Sequence, residues 1–353
     1  MQSRRRPYLI RALVLAVAGT LAMSIPVQAS AGLVMERLAA LPGGTASGAW
    51  GINAAGVVVG WSNTATTSHA ARWATGRTAE DLGTLPGDTG SAATAINTNG
   101  TIVGSSSYPD GRHAVRWAPD RTITALATPA GTTYCTAETI NDNGVAAGHC
   151  SDSLSISTGH AVRWAPDGTA TDLGTLPGDV ASSALKINRD GTIVGWSRSP
   201  ISGNRAVRWN SDGSIDELPS LPGGENSSAE GINDSGAIAG EIWIFQAGHG
   251  VNHAVRWNVD GTVTDLGGFP GSPDPQSQVH AIAADGTVVG ESETADGHFH
   301  PALWAPAGAV TDLGTLPALP EGTISFATAI NDAGVITGSS GGNAVRWLQI
   351  ARR

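Results

Sequence analysis

The chain has 353 residues, of which 47 are glycine and only 14% are charged. Its 20 basic residues include one lysine, Lys186, and the formal net charge is −10. Phosphate recognition needs clustered positive charge, so a nucleic-acid partner is not expected. So much glycine with so little lysine and glutamate also argues against a helical enzyme. A hydrophobic fraction of 41% is too high for a disordered chain.

Residues 1–31 read as a secretory signal peptide. Arg4, Arg5, Arg6 and Arg11 form a basic start, and an apolar stretch runs from Ala12 to Val27. Ala29-Ser30-Ala31 then supplies the small-x-small pattern of a cleavage site. Cleavage near Ala31 removes four arginines and no acid, leaving 16 − 30 = −14. No second apolar segment follows. The expected product is exported, with no membrane span, and is monomeric.

Residues 32–353 carry an internal repeat. An Ile-Asn mark, followed by glycines, begins at Ile52, Ile96, Ile140, Ile187, Ile232 and Ile330, with Ile282-Ala283 in the sixth copy. An Arg-Trp type mark ends at Trp73, Trp117, Trp164, Trp209, Trp257, Trp304 and Trp347. An Asp-Leu-Gly-Thr-Leu-Pro-Gly type segment follows, as at Asp81–Gly87 and Asp172–Gly178. Each unit predicts four short strands. The first ends at Ile-Asn, and the second is the Gly-x-Val/Ile-Val-Gly run. The third is His-Ala-Val-Arg-Trp, and the fourth is Thr-Asp-Leu-Gly-Thr-Leu. Asn, Asp and Gly between the first two suit a hairpin turn.

Facing residues of a hairpin have a constant index sum. A turn at Asp167-Gly168 places Arg163 opposite Asp172. The same rule pairs Arg72 with Asp81, Arg208 with Glu217 and Arg256 with Asp265, while Arg346 would meet Arg37. A turn centred on Asp142-Asn143 places Cys135 opposite Cys150, the only two cysteines. A disulfide is predicted between them.

Four strands per unit, seven times over, predict an all-β, seven-bladed β-propeller forming one domain. The chain stops shortly after Trp347 without a fourth strand, and Leu38–Gly43 resembles one. The N-terminal strand is therefore expected to complete the last blade and close the ring. The seven repeat tryptophans are expected to pack between neighbouring blades.

The repeat resembles the bacterial extracellular HAF-repeat family, named for a His-Ala-Phe signature. That signature stands here as His69-Ala70-Ala71, His113-Ala114-Val115, His160-Ala161-Val162 and His253-Ala254-Val255. His300-Pro301-Ala302 departs from it, Arg205 and Asn343 replace the histidine, and phenylalanine never fills the third place. The resemblance covers residues 32–353 and implies an exported repeat protein. It brings no catalytic residues.

Candidate site residues are those that break the repeat. On the loops joining second and third strands these are Trp61, Tyr108, Trp196, Arg198, Trp243, Phe245 and His249. Exposed aromatics there suit recognition of a glycan, a peptide or a surface protein. The residue two before each repeat isoleucine also varies. Of these, Trp50, Glu138, Glu230 and His280 are candidates to line the central channel. The signature histidines are spread one per unit, so no metal is expected. No phosphate loop, Gly-x-Ser-x-Gly elbow or His-Glu-x-x-His is present, so no cofactor and no catalytic residue are assigned. The leading expectation is a secreted, non-enzymatic binding module. The alternative is a secreted propeller hydrolase or lyase using channel carboxylates as acid and base.

Overall fold

The computed structural model describes residues 33–349 apart from 75, 155–157, 247, 272, 273, 318 and 320–322. The signal peptide and its cleavage site lie outside the described residues. Everything described is strand, turn or loop, with no helix among the described residues. The strands form antiparallel sheets of four. Copy five is typical, with strands Gly224–Ile232, Ile238–Gln246, His249–Trp257 and Val263–Asp265 in that order across the sheet. Copies two and three form one eight-stranded sheet, joined by a single parallel pairing of Tyr134 with Arg112. The last sheet takes its fourth strand from the other end of the chain, where Leu33–Arg37 pairs with Asn343–Gln349.

Apolar side chains of consecutive sheets pack face to face. Val194 and Ala206 of copy four, for example, meet Ala229, Val255 and Trp257 of copy five. All seven repeat tryptophans are buried in these layers. Six reach back to the preceding unit. Trp117 Nε1 donates to the Leu82 carbonyl (2.9 Å), and Trp347 Nε1 to that of Leu313 (3.0 Å). Trp209 Nε1 is the exception, buried with no acceptor.

Two devices recur in the two inner strands. Every first strand carries a β-bulge, as between Ala229 and Gly231 or between Ala137 and Thr139. A bulge adds one unpaired residue and bends the strand. Opposite it stands the glycine that ends each Gly-x-Val/Ile-Val-Gly run. A Cβ on Gly240 would lie 2.0 Å from the Ser228 carbonyl oxygen, and one on Gly60 would lie 1.9 Å from that of Gly48. Here glycine is required because two backbones approach closely.

The outer hairpins differ from the expected register by one residue. Arg163 faces Thr171, Arg72 faces Glu80, Arg208 faces Asp216 and Arg256 faces Thr264. The turn is longer than the two residues assumed. Ala165 N donates to Thr169 O, and Gly168, at φ +89°, closes a three-residue loop. Arg346 accordingly faces Glu36, not Arg37, and bonds it at 2.8 Å. The fourth strands are also short, most ending at the acid before the Leu-Gly segment. That acid pairs with the signature histidine, as in His160–Asp172 (2.8 Å) and His300–Asp312 (2.8 Å).

Cys135 and Cys150 do face each other and are bonded, with an S–S distance of 2.05 Å.

Candidate active site in the central cavity

The first strands of all seven copies line one cavity of about 170 Å³. Each contributes its repeat isoleucine, and Trp50, Thr94 and Lys186 also lie in the wall. The asparagines after the isoleucines tie these strands together. Asn53 Nδ2 donates to Asn97 O (3.1 Å), Asn97 to Asn141 O (3.1 Å) and Asn141 to Asn188 O (3.1 Å). Asn331 Nδ2 donates to Asn53 O (3.0 Å).

Trp50, Glu138, Glu230 and His280 are the extra residues of their bulges. The unpaired position releases their side chains from the sheet, which is why residue type varies there while the strand is retained. Glu230 accepts from Ser228 Oγ at 2.5 Å. Burial pushes its carboxyl up, while Ser228 and the Lys186 charge pull it down and Glu138 adds to the rise. His280 lies 6.2 Å from the Phe326 ring.

A second set of residues stands on the second strands, where Trp61, His149 and Glu241 come near Trp50, Glu138 and Glu230. It occupies the position just after the close-approach glycine. These are Trp61, Ser105, His149, Trp196, Glu241, Glu291 and Ser339 in copies one to seven. Glu241 faces Ser228, and Glu291 faces Gln278. Burial first, then the charges of Glu230 and Glu291, push Glu241 up to about 8. Burial alone pushes Glu291 up to about 7, and its Oε2 is closed off with no hydrogen-bond partner. His149 Nδ1 stands 3.8 Å from Glu138 Oε1. Burial lowers the His149 pKa most, Glu138 opposes this, and Arg112 lowers it further. A carboxyl that titrates near neutrality can both take and give a proton at working pH.

Lys186, His149, Glu241 and Glu291 were not singled out in the sequence. The signal was present: between a fixed glycine and a following Ser, Cys or Ile, one position changes from tryptophan to serine to histidine to glutamate.

The expected loop-face set does not form one exposed loop surface. All seven residues lie in strands, because the second and third strands extend further than expected. Trp196 is buried, and Trp61 is half-buried, 6.5 Å from Trp50. A Cβ on Gly48 would lie 2.5 Å from Trp61 Nε1, so the missing side chain makes room for the indole. Tyr108 covers Gly111 and packs 4.7 Å from the His113 ring. Trp243 lies over Gly250 and 6.0 Å from Phe245. Phe245 and Arg198 are exposed, and His249 Nε2 reaches Asp274 Oδ2 at 3.5 Å.

No protein-family model matches the chain, and no curated protein sequence matches it. Solved structures do. A streptogramin B lyase is similar over 91% of this chain and 99% of its own, at 14% identity and a TM-score of 0.56. A catalytically inactive virginiamycin B lyase from Staphylococcus aureus, solved with quinupristin, is similar over 89% of this chain and 98% of its own, at 16% identity and a TM-score of 0.54. A puromycin-hydrolyzing peptidase from Mycobacterium tuberculosis is similar over 80% of this chain but 47% of its own, at 16% identity and a TM-score of 0.54. At such identities the likeness is one of fold, and that fold is β-propeller-like. The expectation of a non-enzymatic binding module is corrected by these findings. The similar structures are of enzymes. No helix of the described residues is long and apolar enough to cross a membrane.

Proposed function

We propose that this chain is an exported, seven-bladed propeller enzyme, a lyase or hydrolase that works through the carboxylates of its central channel. The observation that carries the activity is a set of carboxyls raised by burial: Glu230, on which the Lys186 charge acts, with Glu241 pushed up to about 8 and Glu291 to about 7. Glu230, held by Ser228 and drawn toward its anion by Lys186, is placed to accept a proton. Glu241, kept protonated by burial and by its two acidic neighbours, is placed to donate one to a leaving atom. Burial raises both carboxyls, but Glu230 alone also has a hydroxyl donor and an ammonium charge acting against that rise, which separates its role as base from that of Glu241 as acid. In a lyase, Glu230 takes the proton that departs as the bond breaks; in a hydrolase, it takes one from the attacking water.

Closure of seven blades into a ring is supported by the pairing of Leu33–Arg37 with Asn343–Gln349. Thr328 Oγ1 also donates to Ala49 O (2.8 Å), and Ala344 N to Ser47 Oγ (3.0 Å). Export through the leader at 1–31 and membership of the HAF-repeat group belong to the same reading. The Cys135–Cys150 bond supports an oxidising compartment.

The test is a broad screen of esters, lactones, amides and glycosides with the wild-type protein, Glu230→Gln and Glu241→Gln. Turnover that falls by about 10²–10⁴-fold in each variant is expected. Turnover unchanged in both variants would remove the carboxylates from the mechanism.

A further inference from the structure

We infer that the central cavity is a recognition pocket for a carboxylate of the substrate, docked on Lys186; this rests on the channel-enzyme reading above. Sixteen described residues line the cavity, and Lys186 alone among them carries a charge. It is also the one lysine of the chain. Its position is otherwise kept for small residues. Just before the repeat isoleucine the other copies hold Gly51, Ala95, Thr139, Gly231, Ala281 and Ala329. The reason is crowding. A Cβ on Gly51 would lie 3.0 Å from the Thr94 carbonyl oxygen, and one on Gly231 would lie 3.1 Å from Ile282 N, each in the following copy. A side chain at this position therefore leans on the next first strand. The strand after Lys186 offers Gly231 there, which leaves room for the long stem. Packing alone does not call for a lysine at such a place.

An ammonium at an apolar wall needs negative partners. Within the chain that part falls to Glu230, on which the Lys186 charge acts. Glu230 is the extra residue of its bulge and is not in the cavity wall. One ammonium carries three donors, so Lys186 can serve Glu230 and a ligand carboxylate together. The wall has little else to offer a polar group. The Thr94 hydroxyl proton is committed to Ala137 O (2.6 Å). The seven repeat isoleucines make up most of the remainder and suit an apolar body. A cavity of about 170 Å³ admits a short acid, a carboxylate on a small aromatic or branched aliphatic group. A cation would meet the one charge of the wall with its own sign. A carboxylate held on Lys186 also brings the adjoining part of the substrate toward the base, Glu230.

The experiment is calorimetric titration of the full chain with benzoate, and with benzamide as its uncharged isostere, at about pH 7. Benzoate should bind at least about tenfold more tightly, because a charge-assisted hydrogen bond replaces a neutral one. Lys186→Met keeps the stem, removes the charge and should abolish most of that difference. The wild-type protein supplies a second reading. Benzoate, and not benzamide, should slow the acetylation of Lys186 by acetic anhydride, followed by mass spectrometry of the one lysine-containing peptide. Equal binding of the two probes would overturn the inference. So would a Lys186→Met protein that melts normally and keeps the full preference, or acetylation of Lys186 that benzoate does not slow. The two readings fail separately. Glu230-dependent turnover of neutral substrates without any preference for benzoate leaves the enzyme and removes the carboxylate pocket. Benzoate preference lost in Lys186→Met, without turnover of any substrate, does the reverse.

Discussion

The side-chain amide of Asn331 donates to the backbone carbonyl of Asn53, 278 residues earlier in the chain (3.0 Å). The same bond recurs between neighbouring copies, from Asn53 to Asn97 and onward, and breaks once, where Ala283 replaces the asparagine. In the other copies the asparagine Oδ1 also accepts from the backbone four residues on, as from Val57 N (3.0 Å) and Val335 N (3.0 Å). At Ala283 that second task passes to Asp285, which accepts from Thr287 N at 2.8 Å. Ala283→Asn is therefore expected to restore the missing donor to Asn331 O and to stabilise the protein by about 1 kcal/mol. Asn141→Ala should cost about 1–2 kcal/mol, because the Asn188 carbonyl then loses one of its two donors and Val145 N loses its Oδ1 acceptor. Chemical denaturation of both variants checks the pair.

Glu241 and Glu291 make stability depend on pH in an unusual direction. Their folded-state pKa values, about 8 and about 7, lie above the ordinary 4.5. The folded state therefore holds these protons more tightly than the unfolded chain. Their contribution is complete below about pH 4.5 and is lost as pH rises through 7 and 8. The total is of order several kcal/mol. Glu241→Gln mimics the protonated acid and should flatten this decline. Melting curves of both proteins from pH 5 to pH 9 measure it, and parallel curves would contradict the assignment.

The close-approach glycines should be intolerant of any side chain. Gly240→Ala places a Cβ 2.0 Å from the Ser228 carbonyl oxygen and 2.9 Å from the Trp257 ring. A cost of about 3 kcal/mol or more is expected. Gly76, with nothing within 4 Å of its Cβ site, is the control, and Gly76→Ala should stay within about 0.5 kcal/mol.

The Cys135–Cys150 bond spans 15 residues. Constraining a loop of that length stabilises by about 3 kcal/mol. Reduction, or Cys135→Ser with Cys150→Ser, should lower stability by that order. Mass spectrometry of unreduced peptides should find the two joined, and two free thiols would count against it.

Repetition made the strand order, the sheet size and the buried tryptophans readable from the sequence, because each error in one copy is exposed by six others. Register was less legible. The Cys135–Cys150 pairing came out right because two misreadings cancelled. Asn141 N donates to Val145 O across a three-residue turn, which shifts the index sum by one, and the bulge at Glu138 shifts it back. In the outer hairpin of copy three the register shift lies beyond the arginine, between Ala161 and Val162, so Arg163 meets Thr171 instead of Asp172. The bulge residues Glu138 and Glu230 were visible as breaks in the repeat. Glu241 and Glu291 were not, because a side chain between two fixed positions of a strand reads as ordinary variation until its neighbours are known.

The bulges bear on how such a protein changes over time. A bulge residue has no ladder partner to satisfy, so its identity is uncoupled from the register of the sheet around it. Seven such sockets, one per copy, hold tryptophan, threonine, glutamate, leucine, glutamate, histidine and threonine, and those of Trp50 and Thr94 lie in the wall of the central cavity. Exchanges at these sockets test new chemistry while the frame stays folded. New specificity can therefore accumulate here one residue at a time, without passing through unfolded ancestors.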